Sequence, residues 1–323
     1  MIMVLNNAFD KNSLELLGKA RELASKVGYK VVLFLITGKE ENFERAGGYG
    51  ADEAVVAVHP RLKRFSLDPF LKISERVVRR YNPSIIISPA TTFGRTLLPA
   101  LAAKLKTGLT ADCTGLDIDD EGNLLQTRPA IGGNVMATIK TPNHRPQMAT
   151  VRPKTFPIPN YDDSKKAKVI MEEVKDEDLE DRCFLLDFKE KELEANIQEA
   201  DVIVSVGKGL RRKENVEIAR KLARLVRGAV GATRAVVDAK WLSQDHQVGL
   251  SGKVVKPKVY IAAGISGAVQ HIAGMQTSEF VIAINKDKYA PIFKVADLGL
   301  VADAASTLEE IARRLESIEE AGN

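Results

Sequence analysis

Cysteine, histidine and tryptophan are scarce in this chain of 323 residues, which contains two cysteines, four histidines and one tryptophan. Cys113 and Cys183 lie far apart and form no C-x-x-C pair, which argues against a disulfide framework and indicates a reducing compartment. We predict that both thiols are packing residues. Because the histidines are equally scattered, no spacing typical of a metal site, or of a nucleophile with its base, occurs. The sequence therefore predicts no bound metal.

Charge of one sign and long apolar runs are also missing. The 47 basic residues nearly balance the 43 acidic ones, so the net charge of +4 gives no basic field of the kind that nucleic-acid binding requires. Met1–Asn7 carries no basic region and no signal core, and no later apolar run approaches membrane-spanning length. We expect a cytoplasmic protein without nucleic-acid partners and without membrane insertion.

Short apolar runs alternate with helical periodicity in the first half of the chain. This alternation predicts an α/β domain of three layers, in which helices cover both faces of a parallel sheet. The predicted strands are Met1–Leu5, Val31–Ile36, Ala54–Val58 and Ser84–Ser88, and the predicted helices lie at about 16–27, 70–80 and 95–106.

Shorter segments follow Gly108. Leu124–Arg128, Val135–Lys140 and Met148–Arg152 are separated by glycine and proline turns and predict added, antiparallel strands. From Pro153 to about Lys191 the chain is rich in charge and proline, which indicates the connection between domains. Since 323 residues exceed what one core usually serves, we predict domains at 1–190 and 191–323.

The alternation restarts in the second half and predicts a doubly wound α/β domain. A last helix is expected after a capping box at Ser306–Glu309. The predicted strands of this domain are Val202–Val206, Ala235–Val237, Val259–Ala263, Phe280–Ile284 and Gly299–Ala302.

One loop has the pattern of an anion site. Val259–Ala263 runs into Gly264, and Ser266-Gly267 are expected to open a helix whose first amides have no intrahelical acceptor, a geometry that binds phosphate. The spacing is G-x-x-G and not the G-x-G-x-x-G of dinucleotide sites, and a similar corner can simply let a helix approach a strand. Polar residues near the neighbouring strands, such as Lys208 and Asn285, favour the ligand interpretation.

Longer segments resemble the alpha subunit of the electron-transfer flavoproteins, and they span nearly the whole second domain. The first domain contributes further similar segments. The segments are Val230–Ala239, Gln247–Lys253, Tyr260–Gly274, Ile284–Asp287, Ala290–Phe293 and Val295–Asp297, with Gly108–Cys113, Thr127–Ala130 and Gly132–Asn134 in the first domain.

The resemblance implies half of a heterodimer. The second domain would carry one FAD, and the first domain would pack against a beta subunit that holds AMP or, in electron-bifurcating members, a second FAD. Electrons would pass from donor dehydrogenases to a quinone-linked or other acceptor, and this chain would transform no metabolite itself. The alternative is a nucleotide-binding regulatory or scaffold subunit without redox activity. It is suggested by Lys208, where many members have Arg, and by Leu250, where Gln is expected.

Three residues are implied in the redox role. Arg234 would lie over the isoalloxazine and stabilise negative charge on the reduced ring, although an ordinary surface ion pair is the alternative. Ser251 would hydrogen-bond the redox-active nitrogen. His271 would reach the pyrimidine carbonyl as histidinium or as a neutral donor, although a lone histidine after an apolar strand is often just a satisfied polar residue.

The remaining implied contacts surround the other parts of FAD. Asp303 has an alternative role in capping the last helix. The resemblance assigns Thr233, Ser266, Gly267 and Ala268 to the pyrophosphate. It assigns Val248, Gly249 and Leu250 to the ring, Gln247 to the ribityl chain and Gln270 to a place beside His271. It assigns Asn285, Lys286 and Asp303 to the adenosine end, and Lys208, Gly264 and Val269 complete the cofactor contacts.

Overall fold

The chain forms two compact units in a computed structural model, which describes residues 1–130, 135–183, 185–186 and 196–321. Unit 1 comprises Met1–Asp187 and unit 2 comprises Phe188–Asn323. The similar segment Gly132–Asn134 lies outside the described residues, as does the boundary placed near residue 190, which stays a prediction. Within the described ranges, no helix combines the length and the apolar character that crossing a membrane needs.

Unit 1 alternates strands and helices for local reasons that its first helix illustrates. The Asp10 carboxylate accepts a hydrogen bond from the Ser13 amide at the start, and Gly28 ends the helix with a φ of 67°. The elements are β1 (Ile2–Asn6), α1 (Lys11–Val27), β2 (Val31–Thr37), β3 (Glu53–Val58), α2 (Leu67–Tyr81), β4 (Ile85–Pro89), α3 (Thr92–Leu105), β5 (Leu109–Cys113), β6 (Gly115–Ile118), β7 (Leu124–Pro129), β8 (Met136–Ile139), β9 (Gln147–Val151) and β10 (Lys168–Glu172).

Seven strands of unit 1 form one parallel sheet in the order β10-β3-β2-β1-β4-β9-β5. Helix α1 covers one face through Leu16, Leu17 and Leu23, and α2 and α3 cover the other. Strands β6, β7 and β8 form a separate antiparallel sheet. The predicted three-layer domain with added strands is confirmed.

The antiparallel pairing predicted for Met148–Arg152 is wrong. The strand that forms there, β9, runs parallel between β4 and β5. All five of its residues are buried, which suits an interior strand of a parallel sheet better than an added strand. The antiparallel prediction holds for Leu124–Arg128, which covers all but the last residue of β7, and for Val135–Lys140, which contains β8.

The segment predicted to connect the domains contributes an edge strand to unit 1. Strand β10 pairs parallel with β3, and the buried Glu172 carboxylate accepts hydrogen bonds from Arg80 and Tyr81 of α2. Charged residues at both ends of this strand conceal it from a search for apolar periodicity. The interpretation of Pro153 to about Lys191 as a connection between domains is therefore wrong for Lys168–Glu172, which belongs to the sheet of unit 1.

The two cysteines have different environments. Cys113 is buried in the sheet, and burial raises the pKa of its thiol to about 12, so its predicted packing role is confirmed. Cys183 is exposed, and the same prediction for it is wrong. In the described part of the chain, no three histidine, cysteine or acidic residues are grouped so that they could hold a metal ion.

Unit 2 contains five parallel strands in the order β12-β11-β13-β14-β15. Helices α4 and α7 cover one face, and mainly irregular segments around Val248, Met275 and Ile292 cover the other. The predicted doubly wound fold is confirmed. The elements are β11 (Val202–Val206), α4 (Val216–Leu225), β12 (Ala229–Ala232), α5 (Arg234–Asp238), β13 (Val259–Ala263), α6 (Val269–Ile272), β14 (Phe280–Asn285), β15 (Leu298–Val301) and α7 (Ala304–Ala321).

The strand predicted at Ala235–Val237 is wrong, because these residues belong to the short helix α5. The strand precedes them as β12, whose four small or branched residues are all buried and pair with β11. Two adjacent valines favour a strand locally, but the sheet position is already taken by the residues after Gly228. Consequently Thr233 and Arg234 follow a strand and lie at the carboxyl edge of the sheet.

The last helix, α7, begins at Ala304 and is capped by Asp303, not by the predicted capping box. The Asp303 carboxylate accepts a hydrogen bond from the Ser306 amide at 3.1 Å, so Ser306 and Glu309 lie inside α7. A hydrogen bond from Lys286, together with this capping bond, lowers the pKa of Asp303 to about 2. The capping alternative for Asp303 is therefore observed.

Candidate functional site

A cavity of about 750 Å³ opens at the carboxyl edge of the five-stranded sheet. It lies beyond the carboxyl ends of the paired strands β11 and β13, where the strand order reverses: the chain continues from β11 to β12 on one side, and from β13 to β14 on the other. Such switch points are the usual ligand sites of open α/β sheets. The lining residues are Gly207, Lys208, Gly209, Thr233, Arg234, Ala235, Asp238, Gln247, Val248, Gly249, Ser251, Gly264, Ile265, Ser266, Ala268, Gln270, His271, Asn285, Asp287, Ala290 and Pro291.

Two glycine loops form the floor by packing backbone against backbone. The Gly207 amide donates to the Ala263 carbonyl and the Gly209 amide to the Gly264 carbonyl, both at 2.9 Å. A Cβ on Gly209 would lie 2.6 Å from the Cα of Gly264, so neither loop tolerates a side chain at this contact. Gly264 has a φ of 63°, which a side chain would also strain. The glycines therefore fix one loop against the other.

The loop after β13 exposes a run of backbone donors. No amide from Ile265 to Gln270 donates a hydrogen bond to another residue in the described ranges. The loop is held instead through its acceptors: the Ile292 amide donates to the Ser266 carbonyl, and the Asn285 side chain donates to the Ile265 carbonyl. The amides of the four residues of this run that line the cavity, Ile265, Ser266, Ala268 and Gln270, are therefore available to an anion.

The helix predicted to begin at Ser266-Gly267 is shorter and starts later than expected. Helix α6 spans only Val269–Ile272, and Gly267 has a φ of 89° that breaks the preceding turn. A single helical turn carries little macrodipole, so any attraction for an anion arises from the local amides. The predicted anion site is thus a loop of backbone donors and not the start of a helix.

The residues at this loop fit a pyrophosphate. Thr233 lines the cavity, and its buried hydroxyl has no hydrogen-bond partner, although such groups are normally satisfied. It does not cap α5 with its side chain. The Lys208 ammonium adds a positive charge at the same cavity. An unsatisfied hydroxyl, open amides and a cation together match the donor set that a diphosphate group needs.

The loop from Gln247 to Ser251 presents a hydroxyl whose hydrogen is available. The buried Gln247 amide group donates to Ser251 Oγ at 3.0 Å, so Ser251 can in turn donate its own proton. Gly249 has a φ of 144°, and its Cβ would lie 2.9 Å from the Gln270 carbonyl oxygen. Gly249 therefore lets this loop pack closely against the residues before His271, and its backbone lines the cavity.

His271 is enclosed and neutral. Its Nδ1 lies 3.0 Å from the Val248 carbonyl, which can only accept, so Nδ1 carries the proton. Its Nε2 lies 2.9 Å from the Tyr260 hydroxyl and accepts from it. Burial lowers the pKa of His271 to about 4, which rules out the histidinium at neutral pH in this arrangement. Both nitrogens have partners, so the expected bond to a pyrimidine carbonyl stays a prediction that requires one of them to be exchanged.

This enclosure makes the stability of unit 2 depend on pH. Because the unfolded His271 titrates near 6.5 and the folded one near 4, the unfolded state binds more protons between these values. Stability is therefore full above about pH 7 and falls by about 3 kcal/mol on acidification to about pH 4. Urea unfolding at pH 5 and pH 7.5 should show a smaller pH difference in His271→Gln than in wild type. His246→Gln is the control, and an equal pH difference in His271→Gln and wild type would contradict the assignment.

Arg234 is exposed and only loosely paired. Its Nε lies 3.5 Å from Asp238 Oδ2, and its side chain is 73% exposed. An ion pair of this kind contributes little to stability, so it leaves the guanidinium free to face a ligand. Arg234 and Asp238 both line the cavity.

Five of the predicted contacts do not line the cavity. Leu250 and Val269 are exposed, and Gly267 packs against Ile292. Lys286 and Asp303 form an ion pair of 2.9 Å with each other. The other predicted residues do line it, and they are Lys208, Thr233, Arg234, Gln247, Val248, Gly249, Ser251, Gly264, Ser266, Ala268, Gln270, His271 and Asn285.

Eight lining residues were not predicted as contacts. Each follows, or lies close after, a strand of the sheet, and that position is the signal that could have found them. They are Gly207, Gly209, Ala235, Asp238, Ile265, Asp287, Ala290 and Pro291.

Comparison with known proteins gives two domain matches. Residues 3–177 match the electron transfer flavoprotein domain, and residues 196–276 match the electron transfer flavoprotein FAD-binding domain. The electron transfer flavoprotein subunit alpha of Thermoanaerobacterium thermosaccharolyticum is 45% identical over 308 residues, which cover 95% of this chain and 93% of that protein. Protein FixB of Clostridium saccharobutylicum is 46% identical over 310 residues, covering 95% and 92%. The lactate dehydrogenase (NAD(+),ferredoxin) subunit LctC of Acetobacterium woodii is 41% identical over 306 residues, covering 94% and 73%.

Proposed function

This chain belongs to the electron transfer flavoprotein family as an alpha subunit, and we propose that it holds one FAD in the cavity of unit 2 and relays electrons through it. The observation that carries the proposal is that the cavity is lined both by a loop, Ile265 to Gln270, whose amides have no partner in the described residues, and by Thr233 with its unsatisfied hydroxyl. These donors suit a pyrophosphate at the switch point of the sheet. Bound FAD would supply reversible acceptance of electrons, which no side chain of the cavity provides.

The residues at the other end of the cavity suit the flavin ring. Ser251 accepts from Gln247 and can therefore donate to a ring nitrogen, and the backbone of Val248 and Gly249 lines the cavity beside it. Arg234 places a fixed positive charge at the cavity, where it would stabilise negative charge on the reduced ring. Lys286 and Asp303 satisfy each other, so we now assign the adenosine end to Asn285 and Asp287.

The proposed partner is a beta subunit, against which unit 1 would pack. That subunit would hold AMP or a second FAD, and electrons would come from a donor dehydrogenase and leave to a quinone-linked or other acceptor in the cytoplasm. The name of the Acetobacterium relative, which includes both NAD(+) and ferredoxin, is a reason to test for electron bifurcation with a second FAD. The alternative of a scaffold subunit has no observation in its favour, because Lys208 lines the cavity and Leu250 does not.

The proposal is tested by counting FAD in the complex co-expressed with its beta subunit. A yellow complex that bleaches reversibly on reduction is expected, with one FAD if the beta subunit holds AMP and two if it holds flavin. Colourless protein that refuses added FAD would overturn the proposal.

A matched pair of threonines tests whether the FAD binds in the cavity of this chain. Thr233 and Thr114 both bury a hydroxyl without a partner, but only Thr233 lines the cavity. Thr233→Val should weaken FAD binding by roughly tenfold, the loss of one hydrogen bond to a charged group, whereas Thr114→Val should leave it unchanged. Equal affinities of the two variants, measured by titration of the FAD-free complex, would count against the site.

A further inference from the structure

Lys208 is held at the cavity by an aromatic ring. Its Nζ lies 4.0 Å from the centroid of the Trp241 ring, and Trp241 is the single tryptophan of the chain. Among the described residues, Lys208 forms no ion pair, so the ring is its principal partner. Lys208 lines the cavity and Trp241 does not, which places the ring behind the ammonium.

The position of Trp241 is fixed by its backbone and its packing. Its amide donates to the Val236 carbonyl at 3.1 Å, directly after Lys240, which has a φ of 56°. The ring is half-buried and packs against the apolar core beneath α4. Trp241 is therefore held in place by the fold, whereas Lys208 lies between Gly207 and Gly209 at the start of a three-residue 3-10 turn.

The chemistry of this contact differs from that of an ion pair. A carboxylate beside Lys208 would neutralise the charge that the cavity offers, but an aromatic face attracts the cation through its quadrupole and carries no net charge. The ammonium keeps its full charge. The ring contacts it from one side only, so N–H donors on the other side remain available to a ligand. The ring also restricts the rotamers of the Lys208 side chain before a ligand binds. Less side-chain entropy is therefore lost when the ammonium contacts the ligand.

We propose that Trp241 is a positioning residue that holds the Lys208 ammonium toward the phosphates of the bound dinucleotide. The inference rests on the proposed function, because the ligand is the FAD assigned to the same cavity. It explains how Lys serves here without the planar fork of an arginine: the ring supplies the orientation that the side chain lacks.

The test is a double-mutant cycle on the FAD affinity of the full-length chain in complex with its beta subunit. Trp241→Leu should weaken FAD binding by roughly fivefold, and Trp241→Phe, which keeps an aromatic face, should restore most of the affinity. In the background of Lys208→Met, Trp241→Leu should have no further effect. The same loss in both backgrounds would show that the ring merely supports the fold and would overturn the proposal, as would no loss at all.

A second measurement separates this proposal from the proposed function. Tryptophan emission is measured for the FAD-free complexes of wild type and of Lys208→Met. Tryptophans of the beta subunit contribute equally to both spectra, so the difference between the spectra reports the environment of Trp241. A clear difference is expected. If the wild-type complex binds no FAD, the proposed function fails while this difference still reports the contact. If FAD binds and the emission is unchanged, the positioning role of Trp241 is wrong.

Discussion

Gly264→Ala is expected to release the flavin. A Cβ at this position would lie 2.7 Å from the Gly209 carbonyl carbon and 2.9 Å from the Leu210 amide nitrogen, so the two loops of the cavity floor must separate. The φ of 63° adds a conformational cost of roughly 1–2 kcal/mol. Because the amides from Ile265 onward would move with the loop, FAD affinity should fall by about a hundredfold or more, which corresponds to roughly 3 kcal/mol.

The chain offers a matched control for this change. Gly28 has nearly the same backbone conformation, with a φ of 67°, but a Cβ there meets nothing within 4 Å. Gly28→Ala should therefore introduce the same conformational strain, but in unit 1, and the variant should bind FAD in unit 2 with wild-type affinity. FAD titration of both variants, after circular dichroism has established that they are folded, separates strain from loop separation. Wild-type affinity in folded Gly264→Ala would contradict the account of the cavity floor.

Arg234→Ala is expected to lower the reduction potential of the flavin. The guanidinium adds a positive charge at the cavity, and its removal destabilises the reduced, anionic ring more than the oxidised ring. Since Arg234 is 73% exposed, solvent weakens the effect to about 1–2 kcal/mol, or roughly 40–90 mV for one electron. The potential can be measured by titration with a reductant and a reference dye.

Two variants control for the other consequences of this change. Arg234→Lys keeps the charge and should retain most of the potential, although it loses the planar geometry. Asp238→Asn removes the carboxylate 3.5 Å from Arg234 and should leave the potential unchanged or raise it. If Arg234→Ala has the wild-type potential, then Arg234 is only the surface ion pair that the sequence also allows.

The general fold could be predicted because its causes are local and repeated. Buried parallel strands require continuous apolar runs, and the helices that cover them require apolar residues at helical spacing. The strands at Val31–Ile36 and Val259–Ala263 can therefore be recognised from the sequence. The errors occurred where tertiary context decides. Strand β10 contains charged residues because it lies at an edge, and Ala235–Val237 forms a helix because β12 already occupies the sheet.

The cavity could be predicted in outline but not in its pairings. Glycines and polar residues after strands mark the carboxyl edge of the sheet, and the resemblance to a family added the individual positions. The partner of each side chain depends on residues distant in sequence. Tyr260 on β13 donates a hydrogen bond to Nε2 of His271 on α6. The ring of Trp241 contacts the ammonium of Lys208, which is 33 positions earlier. No spacing rule in the sequence encodes either contact.

The most direct measurement is a crystal structure of the complex of this chain with its beta subunit and FAD. We expect density for the pyrophosphate against the amides of Ser266 and Ala268 and the Thr233 hydroxyl, with the flavin ring beside Ser251 and Arg234. An empty cavity in unit 2, with all flavin of the complex bound elsewhere, would contradict this expectation.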